Sequence, residues 1–200
     1  MKILKNILYK VSIESITGST DKSIESLQYN SRSIQLNDVF VAIKGSVFDG
    51  HAYISKAIEQ GAAVVVCEDL PLETVDTVTY VKVDNSSKAL ALMASNYYEN
   101  PSNNLKLVGI TGTNGKTTVA TLLYELFSKA GYKVGLISTV KIMVGAHSFS
   151  TTHTTPDSLV INAYLNKMNA EGVEFCFMEV SSHGIHQFRT EGLTFEGGVF

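Results

Sequence analysis

Residues 105–118 read LKLVGITGTNGKTT, and this stretch decides the fold of the second half of the chain. It predicts a buried strand, a glycine-rich turn and then a helix that begins near Thr117. Such a turn directs successive backbone N–H groups and the positive end of the helix dipole at one place, which favours a bound phosphate. The stretch therefore predicts a phosphate-binding loop, in which Lys116 reaches the β- and γ-phosphates and the Thr117 hydroxyl ligates Mg²⁺.

The glycine spacing departs from the strict phosphate-loop pattern, G-x-x-x-x-G-K-[ST]. That pattern would place a glycine at position 110, where this chain has Ile110, and the glycines lie instead at 109 and 112. The shift argues against an ordinary kinase or GTPase loop more than against nucleotide binding. A glycine-rich turn with a chance lysine is the structural alternative.

Strands and helices alternate through the rest of the second half. Strands are predicted over 105–111, 134–138 and 175–180, with a further one starting at Phe195, and Asp157 is a candidate helix cap. The helix after the glycine turn is predicted to pack through one apolar face, formed by Val119, Leu122, Leu123, Leu126, Phe127 and Ala130. This alternation predicts an α/β domain with a parallel sheet.

Glu179 is a lone acid at the carboxyl end of the apolar strand FCFMEV. Open α/β sheets bind ligands at that end, and a carboxylate is a suitable ligand for Mg²⁺. A helix cap or a surface acid is the alternative. A hydrolase triad of Glu179, Ser182 and His183 is rejected, because sequence neighbours rarely converge in those roles and the G-x-S-x-G elbow is absent.

The first half reads as a smaller α/β unit. A helix is predicted on one face through Ile3, Leu4, Ile7, Leu8 and Val11. Strands are predicted at 27–32, 38–43, 62–68 and 78–83, and helices over 50–60 and from about 85 to 98. The polar segment 99–104 separates the halves, so we predict domains over 1–100 and 105–200. The chain stops inside an apolar run, so the second domain is expected to be incomplete.

Composition excludes several function classes. The formal net charge is -3, so no basic excess is present to bind nucleic acid. No apolar run approaches the roughly 20 residues of a transmembrane helix, and lysines interrupt the N-terminus where a signal peptide needs a continuous apolar region. Cys67 and Cys176 lie in apolar runs, which is typical of reduced core residues in a cytoplasmic protein.

Four motifs, which follow one another along the chain in the expected order, resemble those of the Mur ligase family. The loop TGTNGKTT resembles the ATP site of these enzymes, and Asn30-Ser31-Arg32 with 38–45 and 49–51 resembles their uridine-nucleotide domain, although Asn30 replaces the usual acid. Thr154-Thr155-Pro156 and the segment MEVSSHG at 178–184 resemble the members that add a diamino acid. The resemblance covers essentially the whole chain.

The resemblance implies a small uridine-nucleotide-binding domain followed by part of an ATPase domain. It implies a cytoplasmic, monomeric ligase that uses ATP and Mg²⁺ in peptidoglycan precursor synthesis, and hence in cell-wall biogenesis, cell shape and cell division. The reaction would join meso-diaminopimelate or L-lysine to UDP-N-acetylmuramoyl-L-alanyl-D-glutamate through an acyl phosphate. The remaining metal-binding and diamino-acid-binding residues of the family would lie beyond Phe200, so these 200 residues alone are expected to be inactive.

The resemblance also implies roles for individual residues. The ATP-binding set is Gly112, Thr113, Asn114, Gly115, Lys116, Thr117 and Thr118. The catalytic set is Lys116, Glu179 and His183, and Thr117 and Glu179 would hold the metal. The substrate-binding set is Ser31, Ser46, Val47, Phe48, His153, Thr154, Thr155, Ser181, Gln187 and Arg189, with His153 in place of the family's usual asparagine.

Three alternatives stay open at this point. A ligase that adds the final dipeptide shares the loop but lacks the T-T-P and E-V-S-S-H pair. A folate-polyglutamate ligase would not need the uridine-domain pattern. A non-catalytic nucleotide-sugar-binding module would bind uridine nucleotides without turning over ATP, and the intact GKTT and Glu179 argue against it.

Overall fold

The computed structural model describes residues 1–45, 48–151 and 153–200. Within these residues the chain forms two compact units, Met1–Tyr97 and Tyr98–Phe200.

The first unit is built on a mixed sheet in the strand order β2-β7-β6-β5-β4. Its elements are β1 (Lys2–Ile3), α1 (Leu4–Ile7), β2 (Ile13–Thr17), β3 (Ser23–Ile24), β4 (Leu27–Gln28), β5 (Val39–Val41), α2 (Ile54–Glu59), β6 (Val64–Cys67), β7 (Thr79–Val83) and α3 (Ser86–Tyr97). Strands β4, β5, β6 and β7 run parallel, whereas β2 pairs antiparallel with β7. Every residue of β6 is buried, which is why it reads as a continuous apolar run.

The predicted N-terminal helix over residues 3–11 is wrong in extent. Ile3 belongs to β1, which pairs with β3, and α1 covers only Leu4–Ile7. Lys10 adopts a left-handed backbone conformation with φ 59°, so the chain cannot continue as a helix to Val11. The apolar periodicity reports the burial of Leu4 and Ile7 rather than helix length.

The second unit has a mixed sheet in the order β11-β10-β9-β12-β8-β13. Its elements are β8 (Lys106–Ile110), α4 (Lys116–Lys129), β9 (Val134–Ile137), β10 (Ile142–Val144), β11 (His147–Phe149), α5 (Ser158–Ala170), β12 (Phe175–Glu179), α6 (Ser182–His186) and β13 (Gly197–Val199). Strands β9, β12, β8 and β13 are parallel, as predicted. The hairpin β10–β11 is antiparallel and was not predicted.

The predicted apolar face of helix α4 is confirmed at Val119, Leu123 and Phe127, but it was predicted too wide. Ala120 is buried, and Val119, Leu123, Tyr124 and Phe127 pack around it against β8, β9 and β12. Leu122 and Leu126 are 59% and 62% exposed, so they point away from this core. The residues that meet the sheet are spaced at i, i+3, i+4 and i+7, starting from Val119 and Ala120. The predicted face was too wide because it included the two leucines that point outward.

Candidate active site

The glycine-rich turn between β8 and α4 has the geometry that its sequence predicts. Gly112 and Gly115 have φ of 132° and 81°, and Gly115 is the residue immediately before α4. L-residues rarely adopt these angles, so the turn requires glycine for its backbone conformation. It does not require glycine to avoid a steric clash. A Cβ at Gly115 would meet nothing within 4 Å.

Lys116 folds back over this turn. Its Nζ donates hydrogen bonds to the carbonyl oxygens of Gly112, at 2.6 Å, and Thr113, at 3.3 Å. Thr113 and Asn114 are exposed, and so is Thr118, the third residue of α4. The loop therefore presents a cation and a helix N-terminus to solvent at the carboxyl end of β8.

Glu179 lies beside the loop because β12 pairs in parallel with β8, with Glu179 opposite Ile110. The residue is 0% exposed, and its Oε2 accepts a hydrogen bond from Thr117 Oγ1 at 3.0 Å. The predicted pair of metal-binding residues is thus in direct contact. The alternative of a surface acid is wrong.

Thr139 also contacts Glu179, and sequence reasoning did not single it out. Its backbone N–H donates to Oε1 at 2.8 Å, and its hydroxyl lies 3.2 Å from Oε2. Thr139 follows β9, which neighbours β12, so it reaches the same edge of the sheet. A hydroxyl residue directly after a buried strand was the available signal.

The hydroxyl-rich segment before α5 supplies the next two predicted residues. Thr154 Oγ1 lies 3.1 Å from Thr139 Oγ1. Thr155 is fully buried, and its Oγ1 donates to the Glu179 carbonyl at 2.9 Å and accepts from the Ser181 backbone N–H at 2.9 Å. Thr155 therefore joins α5 to the end of β12, and its burial argues against the predicted contact between its hydroxyl and a substrate.

Ser181, His183, Gln187 and Arg189 form a connected polar cluster after β12. Ser181 Oγ accepts from Gly184 N–H at 3.0 Å and caps α6. Gln187 Nε2 lies 2.9 Å from His183 Nε2, and Gln187 Oε1 accepts from Arg189 Nε at 3.0 Å and Nη2 at 2.6 Å. The structure thus brings these four predicted residues together, and each is at least partly exposed.

Arg189 connects this cluster to the threonine segment, since its Nη1 donates to the Thr155 carbonyl at 2.5 Å. His153 is exposed, and its backbone N–H and carbonyl contact Thr151 Oγ1. Within this segment, Thr154 therefore contacts the Thr139 hydroxyl and Thr155 contacts the Glu179 carbonyl.

The donor set at the loop fits Mg²⁺. Glu179 and Thr117 supply hard oxygen atoms 3.0 Å apart beside a helix N-terminus, and Mg²⁺ in phosphate sites uses one or two protein oxygens together with substrate phosphates and water. Among the described residues, no group of three or more His, Cys, Asp and Glu side chains forms an all-protein metal cage. The site suits a cation carried with a nucleotide.

In the first unit, Ser31 begins a short 3-10 turn after β4 and is buried. Asn30 Oδ1 accepts from Arg32 N–H at 3.1 Å. An aspartate at position 30 would offer the same acceptor, so the substitution of asparagine for the usual acid keeps this loop hydrogen bond.

The turn that contains Ser31 is held by a buried carboxylate. Asp38 Oδ2 accepts from Gln35 N–H at 2.8 Å, and Asp38 Oδ1 accepts from Ser26 Oγ at 2.7 Å. Sequence reasoning treated Asp38 as the start of a strand and of the motif at 38–45, and assigned no role to its carboxylate.

The loop after β5 carries the other predicted uridine-nucleotide contacts. Phe48 is 74% exposed, whereas Ser46 and Val47 lie outside the described residues. Gly45 N–H donates to the Phe48 carbonyl at 3.0 Å, and the backbones of Lys44 and Asp49 form an isolated antiparallel β-bridge. The large aromatic side chain of Phe48 is thus presented to solvent, next to the β-bridge between Lys44 and Asp49.

His51 links Asp49 to the segment that follows β6, although sequence reasoning assigned it no chemistry. Its Nδ1 lies 2.6 Å from Asp49 Oδ1, and its Nε2 accepts from the backbone N–H groups of Glu68 and Asp69 at 2.9 and 3.2 Å. Hydrogen bonds from the backbone and then the side chain of His51 lower the pKa of the Asp49 carboxyl. The acceptor role of Nε2 fixes the proton of a neutral ring on Nδ1.

The two cysteines are buried free thiols. Burial raises the pKa of Cys67 from 9.0 to about 11 and raises that of Cys176 further. Both thiols are therefore held in the unreactive, protonated form at neutral pH.

Among the described residues, no helix is both long enough and apolar enough to cross a membrane.

The fold and the loop define an α/β protein whose strand–glycine–helix turn lies beside a carboxylate at the carboxyl end of a parallel sheet. The chain belongs to the Mur ligase family. The family model described as "Mur ligase middle domain" matches residues 110–200, and the model described as "Mur ligase family, catalytic domain" matches residues 23–98.

Close relatives carry one name. The chain is 47% identical over 198 residues to the UDP-N-acetylmuramoyl-L-alanyl-D-glutamate--2,6-diaminopimelate ligase of Cytophaga hutchinsonii, and 48% identical over 197 residues to that of Bacteroides fragilis. Each alignment covers 98% of this chain and 41% of the relative. The chain thus spans less than half the length of the curated relatives it matches.

Solved structures agree on the fold. A UDP-N-acetylmuramoyl-L-alanyl-D-glutamate--2,6-diaminopimelate ligase superposes with a TM-score of 0.79 at 22% identity, over 98% of this chain and 39% of that one. The MurF ligase of Thermotoga maritima, in complex with ADP, gives a TM-score of 0.53 at 26% identity, over 79% of this chain and 32% of that one.

Proposed function

We propose that this chain forms the uridine-nucleotide-binding and ATP-binding parts of an ATP-dependent ligase that joins a diamino acid to UDP-N-acetylmuramoyl-L-alanyl-D-glutamate. The observation that carries the proposal is the contact of Glu179 with Thr117 directly beside the phosphate loop. The names of relatives at 47% and 48% identity support 2,6-diaminopimelate as the diamino acid. The product would serve peptidoglycan synthesis in the cytoplasm.

The proposed division of labour follows the predicted domains, 1–100 and 105–200. The first would hold the uridine nucleotide through Ser31 and the turn at Phe48, because both follow parallel strands at the carboxyl ends of β4 and β5. The second would hold ATP at residues 112–118. The protein would be a monomer that binds no membrane, and the net charge of -3 argues against nucleic-acid binding.

The chemistry needs an activated carboxylate, because amide formation from a free carboxylate and an amine is uphill in water. ATP with Mg²⁺ supplies that activation by phosphorylating the D-glutamyl side-chain carboxylate. Lys116 would exchange its contacts with the Gly112 and Thr113 carbonyls for phosphate oxygens, since a charged donor binds a charged acceptor more strongly.

Glu179 and Thr117 would hold the metal, and the preformed contact between them means that little reorganisation is needed on binding. Thr154 and the cluster of Ser181, Gln187 and Arg189 would orient the peptide carboxylate close to the loop. Arg189 suits this role because its guanidinium can bind a carboxylate through two parallel hydrogen bonds. His183, held by Gln187, would contribute a polar group beside the reacting phosphate.

Calorimetric titration of the chain tests the proposal. We expect UDP-N-acetylmuramoyl-L-alanyl-D-glutamate to bind more tightly than UDP, and ADP to bind more tightly with Mg²⁺ than without it. Equal affinity for UDP and the muramoyl-dipeptide would remove the peptide-reading role of the second unit. If the chain binds Mg-ADP but binds neither UDP nor the muramoyl-dipeptide, a different ATP-dependent ligase would be indicated.

A further inference from the structure

Thr139 is presented to the loop by a rigid turn. Ser138 is buried, and its Oγ donates to the Lys141 carbonyl at 2.9 Å and accepts from Lys141 N–H at 3.2 Å. The Ser138 backbone N–H donates to the same carbonyl at 3.1 Å. These hydrogen bonds fix the end of β9, so the backbone N–H of Thr139 has a defined direction.

One residue thereby contacts both oxygens of a buried carboxylate. Thr139 N–H contacts Glu179 Oε1, and the Thr139 hydroxyl contacts Oε2, the same oxygen that the Thr117 hydroxyl contacts. A carboxylate is only an acceptor, so both hydroxyls must donate to it. Two fixed donors from Thr139 set the rotation of the carboxylate plane.

The hydroxyl of Thr139 has a second partner. It lies 3.1 Å from Thr154 Oγ1, and each threonine hydroxyl has only one proton to donate. Because Thr139 gives its proton to Glu179, Thr154 must supply the proton of this contact. A ligand that recruits the Thr154 hydroxyl would therefore alter the hydrogen bonding of Thr139.

We propose that Thr139 is a positioning residue that orients Glu179 toward the nucleotide-bound cation and connects it to the substrate segment through Thr154. The proposal rests on the proposed function, since it assigns Glu179 to Mg²⁺. The backbone N–H holds Oε1, and this turns Oε2 toward Thr117 of the loop, where the cation would bind. Thr139 itself contacts a carboxylate and a hydroxyl, and so acts through them.

The test compares ADP binding by the chain with Mg²⁺ and with EDTA. Thr139→Val removes the hydroxyl but keeps the shape and the N–H, and Thr139→Ser restores the hydroxyl. We expect Mg²⁺ to lower the Kd of ADP for the unaltered chain. In Thr139→Val, the ratio of the Kd in EDTA to the Kd in Mg²⁺ should be about tenfold smaller. Thr139→Ser should retain the ratio of the unaltered chain, and ADP affinity in EDTA should stay the same for all three.

Thr121→Val on α4 is the matched control, because it makes the same chemical change outside the predicted site. A purely structural role for Thr139 would lower the Tm and weaken ADP binding equally with and without Mg²⁺, and would overturn the proposal. An unchanged Mg²⁺ effect in Thr139→Val would overturn it too. If the unaltered chain shows no Mg²⁺ effect while Tm is normal, the proposed ATP site itself fails and the inference falls with it.

A double-mutant cycle provides a second measurement. Thr139→Val and Thr154→Val, alone and together, are compared by the same Mg²⁺ effect. Residues in one hydrogen-bond network are not additive, so we expect the double variant to lose no more than Thr139→Val alone. Strict additivity would overturn the connection to Thr154.

Discussion

The Glu179 carboxylate and the Thr117 hydroxyl lie 3.0 Å apart, although they are 62 positions apart in the chain. The parallel pairing of β12 with β8 produces this contact, because it places the end of one strand beside the loop that follows the other. Glu179 is fully buried, so its carboxylate is positioned by neighbouring donors rather than by solvent.

Replacing Glu179 by glutamine should remove most of the effect of Mg²⁺ on ADP binding. Glutamine keeps the size of the side chain but lacks the charge that Mg²⁺ prefers in a ligand. We expect the Mg²⁺-dependent tightening, measured by calorimetry, to fall at least about tenfold. Glu125→Gln, at an exposed position on α4, should leave it unchanged. A normal Mg²⁺ response in Glu179→Gln would rule out the carboxylate as a metal ligand.

Replacing Lys116 by methionine should weaken ADP binding both with and without Mg²⁺. The ammonium group is at the loop, where it contacts two backbone carbonyls that a phosphate would replace as partners. Loss of one charge-assisted hydrogen bond predicts about a tenfold to hundredfold weaker affinity. Lys129→Met, at the other end of α4, serves as the control. Equal affinities of the two variants would place the phosphates elsewhere.

The two glycines that flank α4 allow the effect of backbone strain to be separated from the effect on ligand binding. Gly115 precedes the helix and Gly131 follows it, with φ of 81° and 93°, and a Cβ at either would meet nothing within 4 Å. Alanine should therefore lower the free energy of unfolding by about 1 kcal/mol at each position through left-handed strain alone. Denaturant unfolding measures this effect.

Only the alanine at Gly115 should also weaken ADP binding, because it displaces the N–H groups of the loop. If Gly131→Ala impairs ADP binding as strongly, then general destabilisation of α4 explains both variants and the loop has no special role.

Periodicity and strand chemistry were sufficient to locate the core of the second unit. Strands β8 and β12 are continuous apolar runs because helices or loops cover both faces, and the glycine turn has a characteristic composition. The hairpin β10–β11 was not predicted because each strand has only three residues, and such short stretches show no reliable alternation of apolar and polar residues. Leu122 and Leu126 were wrongly included in the buried face of α4, because residue type alone does not distinguish a leucine that points outward from one that points inward.

The candidate site was predictable in proportion to how local its signals are. Lys116 and Thr117 lie in one short motif, and Glu179 stands out as a lone acid in an apolar strand. His51 lies in the motif at 49–51, but its contacts, like those of Thr139, depend on strand order and on partners in distant segments. Such roles become visible only when the neighbours of β9 and of the turn at Lys44 are known.

Asn30 should be replaceable by aspartate but not by alanine. Its Oδ1 accepts from Arg32 N–H, an acceptor that aspartate retains and alanine lacks. We expect Asn30→Ala to lower the free energy of unfolding by about 1 kcal/mol and Asn30→Asp to change it little. Urea unfolding followed by circular dichroism measures both. A loss of equal size in the two variants would mean that the amide nitrogen, rather than the oxygen, supports the turn.

The thiols should resist alkylation while the chain is folded. Burial raises the pKa of Cys67 from 9.0 to about 11, which lowers the thiolate fraction at pH 8 about 100-fold, and Cys176 is shifted in the same direction. Because the raised pKa favours the protonated thiol, the folded state loses stability as the pH rises from about 9 towards 11. We expect labelling by iodoacetamide at pH 8 to be slow in buffer and fast in urea. Ser128→Cys, at an exposed position on α4, should provide one rapidly labelled thiol in the folded chain. Rapid labelling of the unaltered chain in buffer would show that the strands carrying Cys67 or Cys176 open readily.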